Sequence, residues 1–100
     1  MPRRPGALPT ELSLRRTSAP ITFIFRRGCP RCALAQRTVA GAALRFKLAL
    51  EEVDLGQAAP ELIERWQDDL PIVLIDGRRR FRRTVPPPLL EKALRERPVR

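Results

Sequence analysis

The first part of the chain pairs a short apolar run with a segment whose apolar positions recur at helical spacing. Ile21–Phe25 is rich in β-formers and apolar on both faces, which predicts a buried strand. The following residues predict a helix that begins at Pro30 and runs into the low forties, where Gly41 marks its end. Its sheet-facing positions are Cys32, Ala35, Val39 and Ala42. Arg31 and Arg37 fall on the outer face.

The middle of the chain predicts a second strand and a short second helix. Over residues 44–55, apolar and polar residues alternate with a period of two, which favours a strand. The alternation slips at Val53, so we expect a bulge there or an earlier start, and a helix is the competing interpretation. Pro60 then opens a helix. Its inward side chains are Leu62, Ile63 and Trp66. We interpret Trp66 as a core residue, with substrate stacking as the alternative.

The C-terminal part predicts a hairpin and a third helix. Residues 70–75 form the third predicted strand, and Asp76-Gly77 predicts a tight turn into an antiparallel strand over residues 79–84. A run of three prolines then precedes a final helix. Its apolar stripe is Leu89, Leu90, Ala93 and Leu94. The predicted order is therefore β-α-β-α-β-β-α, an α/β fold in one domain over residues 20–97.

Residues 1–19 are interpreted as a flexible basic N-terminal arm. They contain Pro2, Pro5, Pro9 and four arginines, without a sustained apolar period. The arginines partly fit a mitochondrial transit segment, but the prolines oppose the amphipathic helix that it needs. A secretory signal is excluded because no apolar core region is present, and no apolar run approaches the ~20 residues that span a bilayer. We expect a reducing compartment, the cytoplasm, with the mitochondrion as the alternative.

The chain carries a formal net charge of +9, from 20 basic and 11 acidic residues, and this charge is unevenly distributed. Between Glu11 and Glu51 there is no acidic residue. The basic residues in that interval are Arg15, Arg16, Arg26, Arg27, Arg31, Arg37, Arg45 and Lys47. The field along this stretch is therefore expected to be electropositive and to attract anionic partners.

The chain has two cysteines, Cys29 and Cys32, and no histidine. If Pro30 opens the helix, Cys29 lies at its N-cap, where the free N–H groups and the helix dipole favour a thiolate. Arg31, together with the arginine pair that precedes the motif, adds positive charge that supports this thiolate. Cys32 lies about one turn further on, close enough to bond Cys29 and more buried.

This spacing predicts a nucleophile, Cys29, and a shielded resolving residue, Cys32, which exchange disulfides through a mixed disulfide. Zinc takes about four ligands, and no further cysteine or histidine exists to complete a site. We therefore predict no metal ligand within one chain, although a site shared between two chains stays open. An inert disulfide or dithiol is the other alternative, although so short a loop stabilises little.

The cysteine motif is one of three segments that resemble a known family. Cys29-Pro30-Arg31-Cys32 follows a strand, Glu52-Val53-Asp54 comes next, and a Pro-led strand then ends in Asp76-Gly77. In this order they resemble small glutaredoxin-like proteins of the thioredoxin-fold superfamily. The resemblance covers roughly residues 20–97. It implies a thioredoxin-like fold with a four-stranded mixed sheet flanked by three helices.

The same resemblance implies a substrate-binding role for three residues. Pro71 would be cis, and Leu70 before it would pair its backbone with an extended peptide or with glutathione. Arg26, three residues before Cys29, stands where many glutaredoxins carry a lysine that binds the glutathione carboxylate. Arginine could bind the same group with a forked, permanently charged side chain.

The chain also departs from ordinary glutaredoxins. Asp69-Leu70 replaces the Thr-Val that precedes the proline, and Arg31 replaces the usual tyrosine of the motif. Residues 81–85 lack the Gly-Gly loop and acidic pair that hold the γ-glutamyl end of glutathione in that family. We therefore expect no bound cofactor, and we leave glutathione open as a co-substrate.

The predicted function is a glutaredoxin-like thiol–disulfide oxidoreductase, and the alternative is a non-catalytic thioredoxin-fold module. The expected partners are a disulfide-containing protein or a glutathione mixed disulfide, and a thiol reductant; we expect a monomer without membrane contact. A [2Fe–2S] cluster is less favoured because a proline interrupts the motif. Nucleic acid is also less favoured, since the arginine run at residues 78–83 is explained by protection of an edge strand.

Overall fold

The computed structural model describes residues 19–97. The strands are β1 (Ile21–Phe25), β2 (Leu50–Asp54), β3 (Ile72–Ile75) and β4 (Arg78–Arg82). The helices are α1 (Pro30–Phe46), α2 (Pro60–Trp66) and α3 (Pro87–Arg95), and short 3-10 turns follow β2 and α2. The predicted element order is confirmed. The predicted N-terminal arm, apart from Ala19, lies outside the described residues.

The four strands form one mixed sheet in the order β2-β1-β3-β4. β1 pairs in parallel with β2, whereas β3 is antiparallel to both β1 and β4. Parallel neighbours require a crossover connection, which α1 supplies, so α1 begins at the carboxyl end of β1. Since β3 runs the opposite way, its first residues lie at that same edge. The sheet therefore brings the N-terminus of α1 next to the start of β3.

Helix α1 is longer than the sequence predicts. It continues through Gly41 to Phe46, so the strand predicted from residue 44 is wrong in its first half. Leu44, an apolar position of the predicted strand, is 80% exposed. The helix ends at Lys47, whose backbone is left-handed with φ 56° and whose N–H bonds the carbonyls of Ala43 and Leu44. The residues from 44 onward are mostly good helix formers, and their alternation of apolar and polar side chains resembles a strand only by coincidence.

The second strand is shorter and more regular than expected. Leu50–Asp54 pairs residue for residue with Ile21–Phe25, so the bulge predicted near Val53 is wrong. The register shift lies instead between β3 and β4, at Val73/Leu74. The predicted hairpin turn is present, because Asp76 and Gly77 both have positive φ, 52° and 82°, as a type I′ turn requires.

The sheet buries apolar side chains on both faces. One face packs against α1 and α3, with a core that includes Val39, Ala42, Leu90 and Leu94. The other face packs against α2 and its neighbouring turns, with a cluster of Ile24, Cys32, Leu55, Ala58, Trp66, Leu70, Ile72 and Leu74. Trp66 is therefore a core residue, 7% exposed. Leu89 is 54% exposed, so its predicted place in the apolar stripe of α3 is wrong.

None of the helices within residues 19–97 has the length and apolar character needed to cross a membrane.

Replacing Lys47 by glycine tests the observed end of α1. A left-handed residue with a Cβ costs energy that glycine avoids, so Lys47→Gly should raise the free energy of unfolding by about 0.5–1 kcal/mol. The matched control is Arg37→Gly in the exposed helix interior, where glycine should lower stability by about 0.7 kcal/mol. Urea denaturation measures both variants. Equal losses at the two positions would contradict a left-handed ending at Lys47.

Candidate functional site

Cys29 lies at the N-cap of α1, one residue before Pro30, which opens the helix. Gly28 turns the chain with φ 82°, and Cys29 follows in an extended conformation, φ −95° and ψ 112°. Its sulfur accepts the backbone N–H of Cys32 at 3.2 Å. The structure thus gives Cys29 and Pro30 the positions that the sequence predicts, with the sulfur facing a donor of the first helical turn.

The two cysteines are free thiols in different surroundings. Cys29 is half-buried, whereas Cys32 is only 3% exposed, on the face of α1 that meets the sheet. Burial, followed by a side-chain hydrogen bond with Cys29, raises the pKa of the Cys32 thiol to about 12. Cys32 therefore keeps its proton at neutral pH. The pair has one accessible and one shielded sulfur, as the sequence predicts.

Arg31 joins the cysteine motif to the segment before β3. Its Nη2 donates a hydrogen bond to the backbone carbonyl of Leu70 at 3.1 Å. The Leu70–Pro71 bond is cis, and both residues are buried. Sequence reasoning assigned Arg31 only to support of the thiolate and missed this bond, since its partners are 39 positions apart. The structure therefore places Leu70 and Pro71 at the same edge as the cysteines.

Arg26 and Arg27 precede the motif, and each has a partner at hand. Arg26 donates from Nη1 to Oε1 of Gln67 at 2.8 Å, on the turn that leads into Leu70. Arg27 Nε lies 3.5 Å from Oδ2 of Asp54. Arg26 is thus tied to the segment before Pro71 rather than to a carboxylate.

A second set of contacts ties that segment to the end of β4. The backbone N–H of Arg83 donates to the carbonyls of Asp69 at 2.9 Å and Pro71 at 2.8 Å. The Asp69 carboxylate accepts from Arg82 Nη1 at 3.2 Å and lies 3.7 Å from Arg83 Nε. Sequence reasoning missed this role of Asp69, because no spacing signal joins it to β4. Backbone hydrogen bonds and ion pairs therefore both fix the segment before β3, which lies beside the cysteines.

A cleft of about 340 Å³ opens beside the two cysteines, between α1 and the edge strand β2. Arg26, Arg27 and Arg37 line it, and so does Glu52. Glu52 Oε2 accepts a hydrogen bond from Gln36 Nε2 at 3.0 Å. Within residues 19–97, no three His, Cys, Asp or Glu side chains are grouped closely enough to hold a metal ion.

The comparison with known families agrees with this geometry. The model of a family described as "Glutaredoxin-like domain (DUF836)" matches residues 20–96 of the chain. The chain belongs to this glutaredoxin-like family. The resemblance inferred from the cysteine motif is therefore confirmed, and so is the expectation of a redox-type fold. No curated protein matches the sequence significantly.

Solved structures similar to this glutaredoxin-like chain include both glutaredoxins and thioredoxins. A glutaredoxin from Archaeoglobus fulgidus has a TM-score of 0.58 at 14% identity, over 81% of this chain and 91% of that one. Reduced thioredoxin 2 from Pseudomonas aeruginosa has a TM-score of 0.55 at 25% identity, over 89% and 88%. Mitochondrial thioredoxin 3 from Saccharomyces cerevisiae has a TM-score of 0.56 at 13% identity, over 86% and 85%. The predicted thioredoxin-like fold is confirmed.

The buried position of Cys32 predicts an unusual pH dependence of its reactivity. In Cys29→Ser, burial remains, so the pKa of Cys32 should stay well above the ordinary 9.0 of a free thiol. Iodoacetamide should then modify Cys32 slowly between pH 8 and 10, with a rate that still rises at the top of this range. The control is the same variant unfolded in urea, which should titrate near 9. Coincident folded and unfolded pH profiles would contradict a burial-shifted thiol.

Proposed function

We propose that this glutaredoxin-like protein is a thiol–disulfide oxidoreductase that reduces disulfides through Cys29 and Cys32. One observation carries the proposal: an accessible sulfur at a helix N-cap accepts the N–H of Cys32, whose own thiol is buried directly behind it. An accessible nucleophile and a shielded thiol one turn apart are the two parts that disulfide exchange requires. The proposal is also supported by the fold, which this chain shares with glutaredoxins and thioredoxins.

In the first step, the Cys29 thiolate attacks one sulfur of a substrate disulfide. A bond forms between Cys29 and that sulfur, the substrate S–S bond breaks, and the other substrate sulfur leaves as a thiolate. The Cys32 N–H, 3.2 Å from the Cys29 sulfur, is the donor that faces this sulfur as it attacks. The chain contains no histidine, so it relies on this helix end and nearby arginines rather than on an imidazole base.

In the second step, Cys32 loses its proton and attacks Cys29 in the mixed disulfide. The Cys29–Cys32 bond forms, the second substrate sulfur leaves, and two electrons have passed from the dithiol to the substrate. The proton passes to water or to the departing thiolate. The pKa of Cys32 falls at this stage, because the hydrogen bond and negative charge of Cys29 that helped raise it are consumed. The resolving thiol is thus activated only after the first step.

The partners in this proposal are a disulfide-bearing protein and a thiol reductant that restores the dithiol in a reducing compartment such as the cytoplasm. Leu70 and Pro71 supply the backbone edge for an extended peptide, and the Arg31 bond to the Leu70 carbonyl lies on that edge. Residues 81–85 carry no glycine or acid that could hold the γ-glutamyl end of glutathione. We therefore favour protein disulfides as substrates, with Arg26 as an additional anion contact.

Trapping the intermediate tests the assigned roles. Cys32→Ser should accumulate a mixed disulfide between Cys29 and a substrate such as insulin, because the resolving thiol is missing. Mass spectrometry under non-reducing conditions should find the adduct on Cys29. Turnover of insulin with dithiothreitol as the reductant should fall at least about a hundredfold in this variant.

The matched control is Cys29→Ser, which should form no adduct and show no turnover above the uncatalysed rate. Activity that survives in Cys29→Ser would refute the role of Cys29 as nucleophile. A wild-type protein that reduces neither insulin nor bis(2-hydroxyethyl) disulfide would refute the oxidoreductase itself and favour a non-catalytic module.

A further inference from the structure

A groove of about 390 Å³ lies between α1 and the segment that joins β4 to α3. Leu34 and Ala35 form part of its wall on α1, and Val85, Pro86 and Pro87 face them from the joining segment. Most of this lining is apolar, and no function described above uses it. Its position matters because Arg31, which also lines it, stands between the two cysteines in sequence.

The groove exposes apolar surface that nothing within residues 19–97 covers. Leu34 is 69% exposed, and it lies two residues after Cys32 and five after Cys29. Exposed apolar side chains beside a reactive group are typical of a contact surface. Pro86 and Pro87 fix the backbone of the opposite wall, so little ordering is needed when a ligand enters.

One end of the groove is positively charged. Arg31 and Arg83 both line it, and both are tied to the same segment, since Arg31 bonds the Leu70 carbonyl and the Arg83 N–H bonds the Pro71 carbonyl. Asp69, which does not line the groove, is shared between Arg82 and Arg83. Among the described residues no acidic side chain lines the groove, so Arg31 and Arg83 leave an excess of positive charge there. An occupant with a carboxylate at this end would complement that excess.

The two ends of the groove therefore differ in chemistry. Arg31 lies at the end that is nearest to the cysteines along α1, although the cysteines themselves line the neighbouring cleft beside β2, and Thr38 lies about two helical turns further on. A substrate segment that extends from Cys29 along α1 into the groove therefore passes Arg31 before it reaches the apolar wall at Leu34 and Ala35. A matching occupant of the groove therefore carries a negative charge near Arg31 and an apolar side chain beyond it.

We propose that the groove selects the substrate: it binds a segment of the partner protein in which the disulfide cysteine is followed, in either chain direction, by an acidic residue and then an apolar one. The proposal rests on the oxidoreductase function proposed above and specifies its substrate class. The acidic side chain contacts Arg31 and Arg83, and the apolar side chain packs against Leu34, Val85 and Pro86.

Short disulfide-linked peptide dimers test this order. The probes are Gly-Cys-Glu-Leu and its reversed form Leu-Glu-Cys-Gly, with matched peptides in which Gln or Lys replaces Glu, or Gly replaces Leu. The measurement is the second-order rate at which each peptide disulfide oxidises the reduced full-length protein, with remaining thiols alkylated and counted by mass spectrometry. In at least one orientation, Glu should be favoured over Gln about fivefold, and Leu over Gly about tenfold.

Two groove variants should change these ratios in separate ways. Arg83→Gln should bring the Glu/Gln ratio close to one, and Leu34→Ser should reduce the Leu/Gly ratio while leaving the Glu/Gln ratio in place. Both positions are exposed, so neither change should prevent folding. The matched control is Arg80→Gln on β4, which removes the same charge away from the groove and should leave both ratios unchanged.

Four outcomes would overturn the proposal. The first is an equal rate for all peptides, and the second is an equal effect of Arg83→Gln and Arg80→Gln, which would indicate only an effect of overall charge. The third is a faster reaction with a glutathione mixed disulfide whose rate Leu34→Ser does not change. The fourth is a dimer in solution that Leu34→Ser dissociates. Failure to react with any disulfide, bis(2-hydroxyethyl) disulfide included, would instead refute the underlying oxidoreductase function. The specificity claim and the activity claim can thus fail separately.

Discussion

The hydrogen bond from the Cys32 N–H to the Cys29 sulfur is the contact on which the candidate site depends. It exists because Cys29 is extended while the next residue, Pro30, is already helical. The position of that helix start follows in turn from the sheet, since the parallel pairing of β1 and β2 requires α1 to return across it. A strand pairing thus determines where a sulfur meets free peptide N–H groups, and the arginines around it depend on the same arrangement.

Two residues with the same side chain behave differently here because they lie at different depths. Helical geometry turns Cys32 toward the sheet while Cys29 stays at the rim, and burial is the largest cause of the raised pKa of Cys32. Arg27 is paired with Asp54 and two arginines share Asp69, whereas Arg31 bonds only a backbone carbonyl, so arginines outnumber carboxylates here. Such an edge retains excess positive charge, which suits partners that bring the negative charge themselves.

The sequence was informative where the signal is local. A β-rich run before Cys-Pro, a proline at a helix start and Asp76-Gly77 at a turn each reflect the preferences of a few adjacent residues, and the structure has all three. The end of α1 was missed because residues 44–50 alternate like a strand although they also suit a helix. The helix also ends at Lys47, whereas the usual sequence mark of such an ending is a glycine. The contacts of Arg31 and Asp69 were missed because strand pairing creates them, across 39 and 13 positions.

The chain contains a single tryptophan, and it is buried in the same apolar cluster as Cys32 and Leu70. Sulfur near an indole ring quenches its emission, and a disulfide does so more strongly than a thiol. Because Trp66 shares this cluster with Cys32, its fluorescence is the signal to measure as a reporter of the thiol state. A redox titration followed in this way needs no label that would occupy either cysteine.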